Sequence, residues 1–143
     1  FQESELSNLY RIFFYSARPS SEHPSASKIN LFFSQLEQLN HTAVRYGKLV
    51  KRGEQFVQKQ VDILLGIDMA EISIKKFVSK VVLIGYDSDM SPALKLARCN
   101  GIQTQIILFN EVNNGIDSTL FKHCDIIKKV NAIDYYKKLE IIP

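Results

Sequence analysis

Tryptophan is absent from this 143-residue chain, and cysteine, proline and glycine are scarce. Two cysteines, Cys99 and Cys124, are too few for a disulfide framework or a four-cysteine zinc site, and two free buried thiols are the commoner arrangement. Four prolines and six glycines exclude a collagenous, linker-like or low-complexity chain. Long apolar runs are missing too. The densest, Val81-Val82-Leu83-Ile84-Gly85, has the length of a buried strand and falls far short of the roughly 20 residues a membrane span needs. No membrane association is expected, and with no secretory signal in view the expectation is a cytoplasmic protein. The three histidines, His23, His41 and His123, have neither metal-ligand spacing nor a paired nucleophile, and no glycine-rich phosphate loop is present.

What the chain does contain is ordinary for one globular domain: 45% hydrophobic and 23% charged residues, enough to bury a core. The net charge of +3 is too mild to announce nucleic-acid binding, but its distribution is uneven. Arg45, Lys48, Lys51, Arg52 and Lys59 lie within fifteen residues against the single acid Glu54, whereas residues 62–89 hold five acids. Solvated faces of unlike sign would account for this without any function.

Residues 10–15, aromatic and β-branched, predict a strand, closed by a polar loop with Pro19 and Pro24. Ile29, Phe32, Phe33, Leu36 and Leu39 recur at helical spacing, so a helix is expected from Ala26 to about Tyr46, with Gly47 ending it. Residues 49–59 predict a hairpin turning at Arg52-Gly53. A helix follows from Val61 to about Lys76, with Val61, Leu64, Leu65, Asp68 and Ile72 on one face. Residues 80–86 form a continuous apolar strand, Ser91-Pro92 opens a helix ending at Asn100-Gly101, and residues 103–109 predict another strand. A loop at 110–115, a short helix at 117–123, a last strand at 125–130 and a packing segment at 135–139 complete the chain. Strands alternating with helices imply an α/β fold in three layers, with a mostly parallel central sheet flanked by helices, in a single domain over residues 1–143.

The chemistry-bearing residues are acidic. Asp87-Ser88-Asp89 follows the 80–86 strand directly, and ligands of open parallel sheets bind outside the carboxyl ends of strands. Two carboxylates one residue apart can converge on a divalent cation; they can equally be a turn and a helix cap. Asp68 stands on the apolar face of its helix, where a carboxylate needs a salt bridge or a metal. Asp62, in the first turn, is favoured by the helix dipole alone, yet a helix entering there is placed to face Asp87 and Asp89. Carboxylates gathered at one edge suit a pair of divalent cations that activate water for phosphodiester cleavage.

These residues resemble a known family. Lys59-Gln60-Val61-Asp62, with Asp68 six residues on, followed by Gly85-Tyr86-Asp87-Ser88-Asp89-Met90, is similar to the NYN domain (LabA-like), a branch of the PIN-like nuclease superfamily. The likeness covers roughly residues 10–130, with residues 10–15 similar to the family's second strand and residues 120–127, including Asp125, to its closing segment. The resemblance implies a single-domain, metal-dependent endoribonuclease acting on RNA, expected to be single-stranded. In it Asp62, Asp87 and Asp89 are catalytic and, with Asp68, hold Mg²⁺ or Mn²⁺, while Ser88 matches the intervening serine. Lys59, Ser88, Arg45, Lys48, Lys51 and Arg52 are expected at the RNA, with binding that weakens steeply with salt.

The family's Ser-Gly before the acidic motif is Gly85-Tyr86 here, and its opening strand, which carries an Asp, is not found ahead of Tyr10. The domain is therefore expected to lack its N-terminal strand in the sequence shown. These departures support a second expectation, a catalytically inactive regulatory or RNA-binding domain of the same fold. A phosphatase-like α/β enzyme is the third reading, without a phosphate loop or nucleophile motif to carry it. The oligomeric state is open, a homo-oligomer included.

Overall fold

A computed structural model describes residues 8–20, 22–53, 55–109 and 118–131. The chain divides into two compact units, residues 1–65 and 66–143. The fold is mixed α/β as expected, and among the described residues three of the four strand pairings are parallel. The strands of the described residues are distributed over two three-stranded sheets, one in each unit. No helix among the described residues is long and apolar enough to cross a membrane.

In the first unit, β1 (Ile12–Arg18) pairs in parallel with β2 (Thr42–Arg52), which turns antiparallel into β3 (Gln55–Lys59). The helix α1 (Ala26–Glu37) connects β1 to β2 and packs on β2. Its inner face is Ile29, Phe33 and Leu36, at i, i+4 and i+7, with Phe33 buried. Phe33 meets the Tyr46 ring at 5.2 Å and the Phe14 ring at 6.3 Å. Aromatic pairs of this kind are worth about 0.5–1.5 kcal/mol beyond the area they bury.

The helix expected to reach Tyr46 thus stops at Glu37. The chain turns at residues 38–41, where His41 takes φ 59°, and Thr42 onward is strand. Leu39, counted above as part of the helical stripe, is 56% exposed. Pairing with β1 overrides the helical spacing here, helped by the β-branched Thr42 and Val44. Gly47 is therefore no helix terminator. It lies in mid-β2 beneath the β3–α2 junction, where a Cβ would collide with the Lys59 carbonyl and lie 2.8 Å from Val61 Cγ2.

The helix α2 (Val61–Ile74) crosses the boundary between the units. Its expected face is visible in the burial pattern: Val61, Leu64, Leu65, Asp68 and Ile72 are half-buried, while Asp62, Ile63, Ile67 and Glu71 are exposed.

In the second unit, β4 (Lys80–Ile84), β5 (Gln103–Phe109) and β6 (Ile126–Val130) form an all-parallel sheet in that order. Central β5 is buried continuously from Thr104 to Ile106, as a strand covered on both faces must be. The helix α3 (Ser91–Cys99) packs on β5 and places Leu94 and Ala97 in the core, with Met90, Ile102, Leu108 and Leu120 of α4 (Ser118–Phe121). Pro92 occupies the first turn of α3, where its missing N–H costs nothing. Among the described residues β6 pairs on one side only, and Ile126 through Lys129 are exposed. Both cysteines are free; Cys99 is exposed and Cys124 half-buried, so the expected burial fails for Cys99. The expected loop at 110–115 and the packing segment at 135–139 lie outside the described residues.

Candidate functional site

The strand β4 ends at Ile84, and the chain leaves the sheet through Gly85, whose φ of 148° is a conformation that side-chain-bearing residues rarely adopt. Its N–H still donates to the Ile107 carbonyl at 3.2 Å, holding the exit against β5. Tyr86 follows, 55% exposed, and then the acidic tripeptide.

Residues Ser88–Met90 form one turn of 3-10 helix capped by Asp87, whose Oδ1 accepts the Asp89 N–H at 2.9 Å. This is the turn-and-cap role that the spacing allowed from the outset. It also fixes the Asp87 carboxylate at the carboxyl end of a parallel strand, the edge at which α/β sheets bind ligands. Met90, buried under the turn, anchors it to the core. Among the described residues, Asp87 Oδ2 and both Asp89 side-chain oxygens carry no hydrogen bond, and both residues are exposed. Ser88, half-buried between them, gives its carbonyl to the Ser91 N–H.

The donor chemistry fits a hard divalent cation. Mg²⁺ keeps several waters and is held by one or two carboxylates together with substrate phosphates, so the Asp87–Asp89 pair meets its minimum demand. Among the described residues, no three His, Cys, Asp or Glu side chains converge to hold a metal ion. Asp62 and Asp68 are separated by about 9 Å along α2 and about 120° around it. Asp62 is exposed, and Asp68 shares the half-buried face with Leu64, Leu65 and Ile72. Helix geometry therefore keeps these two carboxylates from a common ligand position.

Asp125 belongs to different chemistry. It precedes β6 and so lies at the amino edge of the parallel sheet, about 16 Å of strand from the carboxyl edge where Asp87 lies. Its Oδ2 accepts the Thr104 N–H at 2.8 Å and the Thr104 hydroxyl at 2.9 Å, while Oδ1 meets Arg98 Nε at 2.9 Å. Arg98 also donates to the Lys122 carbonyl, and Thr104 Oγ1 accepts the Asp125 N–H at 3.1 Å. The Thr104 backbone N–H, then its hydroxyl, then Arg98 hold the Asp125 carboxyl below the usual aspartate range. This clamp ties α3, β5 and the entry to β6 together, and its role is structural.

The basic residues expected at RNA divide between two faces of the first sheet. Alternation along β2 puts Arg45 and Lys51 on one side and Lys48 and Arg52 on the other, with Lys59 of β3 directly opposite Lys48. Arg18, not singled out from the sequence, lies beside Lys48 on β1. Only the strand register reveals it.

The family model of the NYN domain matches residues 2–130, nine-tenths of the chain, which therefore belongs to the NYN domain family within the PIN-like superfamily. That membership carries a nuclease-like character and RNA as substrate or partner. No curated protein and no solved structure gives a significant match.

Proposed function

We propose that this NYN-family chain is a divalent-metal-dependent endoribonuclease acting on single-stranded RNA, with Asp87 and Asp89 as its central carboxylates. The observation that supports the reading is the pair of exposed, hydrogen-bond-poor carboxylates fixed by a capped turn at the carboxyl end of parallel strand β4. Asp87 and Asp89 would hold Mg²⁺ or Mn²⁺, with Asp62 and Asp68 as the further carboxylates to be tested. Such a cation supplies neutralisation of phosphate charge and a water nucleophile at neutral pH. The chain's own part is to hold the two carboxylates in a fixed relation, Asp87 oriented by the Asp89 N–H and the turn seated on Met90. Exposed basic residues of the first sheet, Lys48, Arg52 and Lys59 among them, would hold the RNA backbone without reading its sequence.

Cleavage of an end-labelled single-stranded RNA with Mg²⁺ or Mn²⁺ tests this, comparing the wild-type chain, Asp87→Asn/Asp89→Asn and an EDTA control. Asparagine caps a helical turn as well as aspartate does, so the double variant keeps its fold and loses charge. Its activity should fall to the EDTA background. Cutting that survives in the variant or in EDTA would refute the assignment.

The second reading is a catalytically inactive NYN domain that binds or regulates RNA. It is favoured by the absence, among the described residues, of a third converging carboxylate, and by exposed Tyr86 next to Asp87. RNA bound and left intact with either metal would select it.

A further inference from the structure

Register places three cations in one row across the first sheet. Arg18 of β1 lies beside Lys48 of β2, and Lys48 lies opposite Lys59 of β3. Paired residues on neighbouring strands share a face, so all three stand on the same side, and Arg52 joins them two alternations along β2. Lys48, Arg52 and Lys59 are exposed, and among the described residues none has a carboxylate partner. The acid at the end of the row, Glu37 of α1, is shared by the Arg18 guanidinium at 3.5 Å and the Tyr46 hydroxyl at 2.7 Å. Like charges directly opposite each other across an antiparallel pair oppose folding. A sheet that sets Lys48 against Lys59 with no acid between them concentrates positive charge that a polyanion would neutralise.

Arg18 is held within the unit, its guanidinium 4.2 Å from the Tyr46 ring centre and 3.5 Å from Glu37, and two cations of the other face are held likewise. Arg45 lies over the Phe13 ring at 5.5 Å, and Lys51 is 3.7 Å from Glu22 and 6.0 Å from the Phe56 ring centre. Both are engaged by neighbours within the unit.

Building on the RNA reading above, we infer that Lys48 and Lys59, continued by Arg52, form the track for the phosphodiester backbone of single-stranded RNA, and that Arg18, Arg45 and Lys51, each engaged by a ring or a carboxylate, take no part. The Lys48–Lys59 pair spans about 5 Å at ordinary strand spacing. Its contacts go to phosphates, so it fixes the position of the strand without selecting a sequence.

The test is binding of a fluorescein-labelled oligouridine to the whole chain in EDTA, read by anisotropy between about 50 and 200 mM salt. Lys48→Gln/Lys59→Gln is compared with Arg45→Gln/Lys51→Gln. Each single-strand phosphate contact contributes about 0.7 to the slope of log affinity against log salt. The Lys48/Lys59 pair should therefore lower that slope by about 1.4 and weaken binding roughly 25-fold near 0.1 M salt. The Arg45/Lys51 pair should bind as the wild type does. Removing the facing ammonium groups should leave the melting temperature equal or higher, which separates lost affinity from lost fold. Equal losses in both pairs, or a larger loss in Arg45/Lys51, overturn the track while leaving RNA binding intact. A wild-type chain that binds no oligouridine, in EDTA or in Mg²⁺, overturns the track and the RNA reading together.

Discussion

Gly47→Ala should be among the most damaging single-methyl additions in the chain. Gly47 is buried in β2, aligned with buried Ala17 of β1. A Cβ there would collide with the Lys59 carbonyl oxygen and lie 2.8 Å from Val61 Cγ2 and 3.1 Å from Val61 N. A rotation of Val61 relieves only one of these contacts. The other two are backbone atoms at the β3–α2 junction, where Gln60 already takes φ 69° and Lys59 is held in register with Lys48. Overpacking costs about 1–3 kcal/mol, and an obstacle that cannot rotate away places this site at the upper end, about 3 kcal/mol. For a chain of this size that corresponds to a fall of roughly 10 °C in melting temperature. Urea denaturation followed by far-UV circular dichroism gives the midpoint, with the m-value expected to stay unchanged. Gly66→Ala is the matched control: Gly66 lies inside α2, and among the described residues nothing is within 4 Å of its built Cβ. That change should stabilise by up to about 1 kcal/mol through helix propensity. A neutral or stabilising Gly47→Ala, or two variants shifting together, would refute the close crossing of β2 by the junction.

Two further outcomes follow from the second unit. Because Thr104 and Arg98 depress the Asp125 carboxyl, its contribution to stability is fully present above the unfolded aspartate value, near pH 3.9, and is lost as the pH falls through the lower folded value. Asp125→Asn should therefore be less stable than the wild type at pH 7, and the gap should narrow below about pH 4; a gap that stays constant down to pH 3 in thermal melts would contradict the clamp. Leu94→Ala, at a fully buried position under α3, should cost about 2–5 kcal/mol in urea denaturation, and a loss below 1 kcal/mol would mean that α3 is not seated on β5.

The second sheet was more legible in the sequence than the first. For β4, α3 and β5, local signals and long-range packing agree: a continuous apolar run, Pro92 at a helix start, Asn100-Gly101 at its end. For β2 they conflict. Apolar spacing continues through Leu39, and what makes Thr42–Arg52 a strand is its pairing with β1, Ile12 alongside Thr42, which no local window contains. The position of Asp87-Ser88-Asp89 at a strand end could be read because only a strand and a turn are needed to define it. The division of the basic cluster into two faces could not, since it depends on where β2 begins. Nor could the place of Asp125, matched only to the family's closing segment, be read from the sequence: strand order and direction, which put it at the amino edge of the sheet, are not local properties.

Among the described residues, β6 is an outer strand of the second sheet. Ile126 and Lys128 occupy one face of β6 and Ile127 and Lys129 the other, so each exposed isoleucine is followed by a charge on its own side. An open strand edge with bare apolar faces invites pairing between copies, and lysines in this position act as gatekeepers against it. Among the described residues β6 has no second neighbour, and lysines at such an edge disfavour its pairing with another copy of the chain.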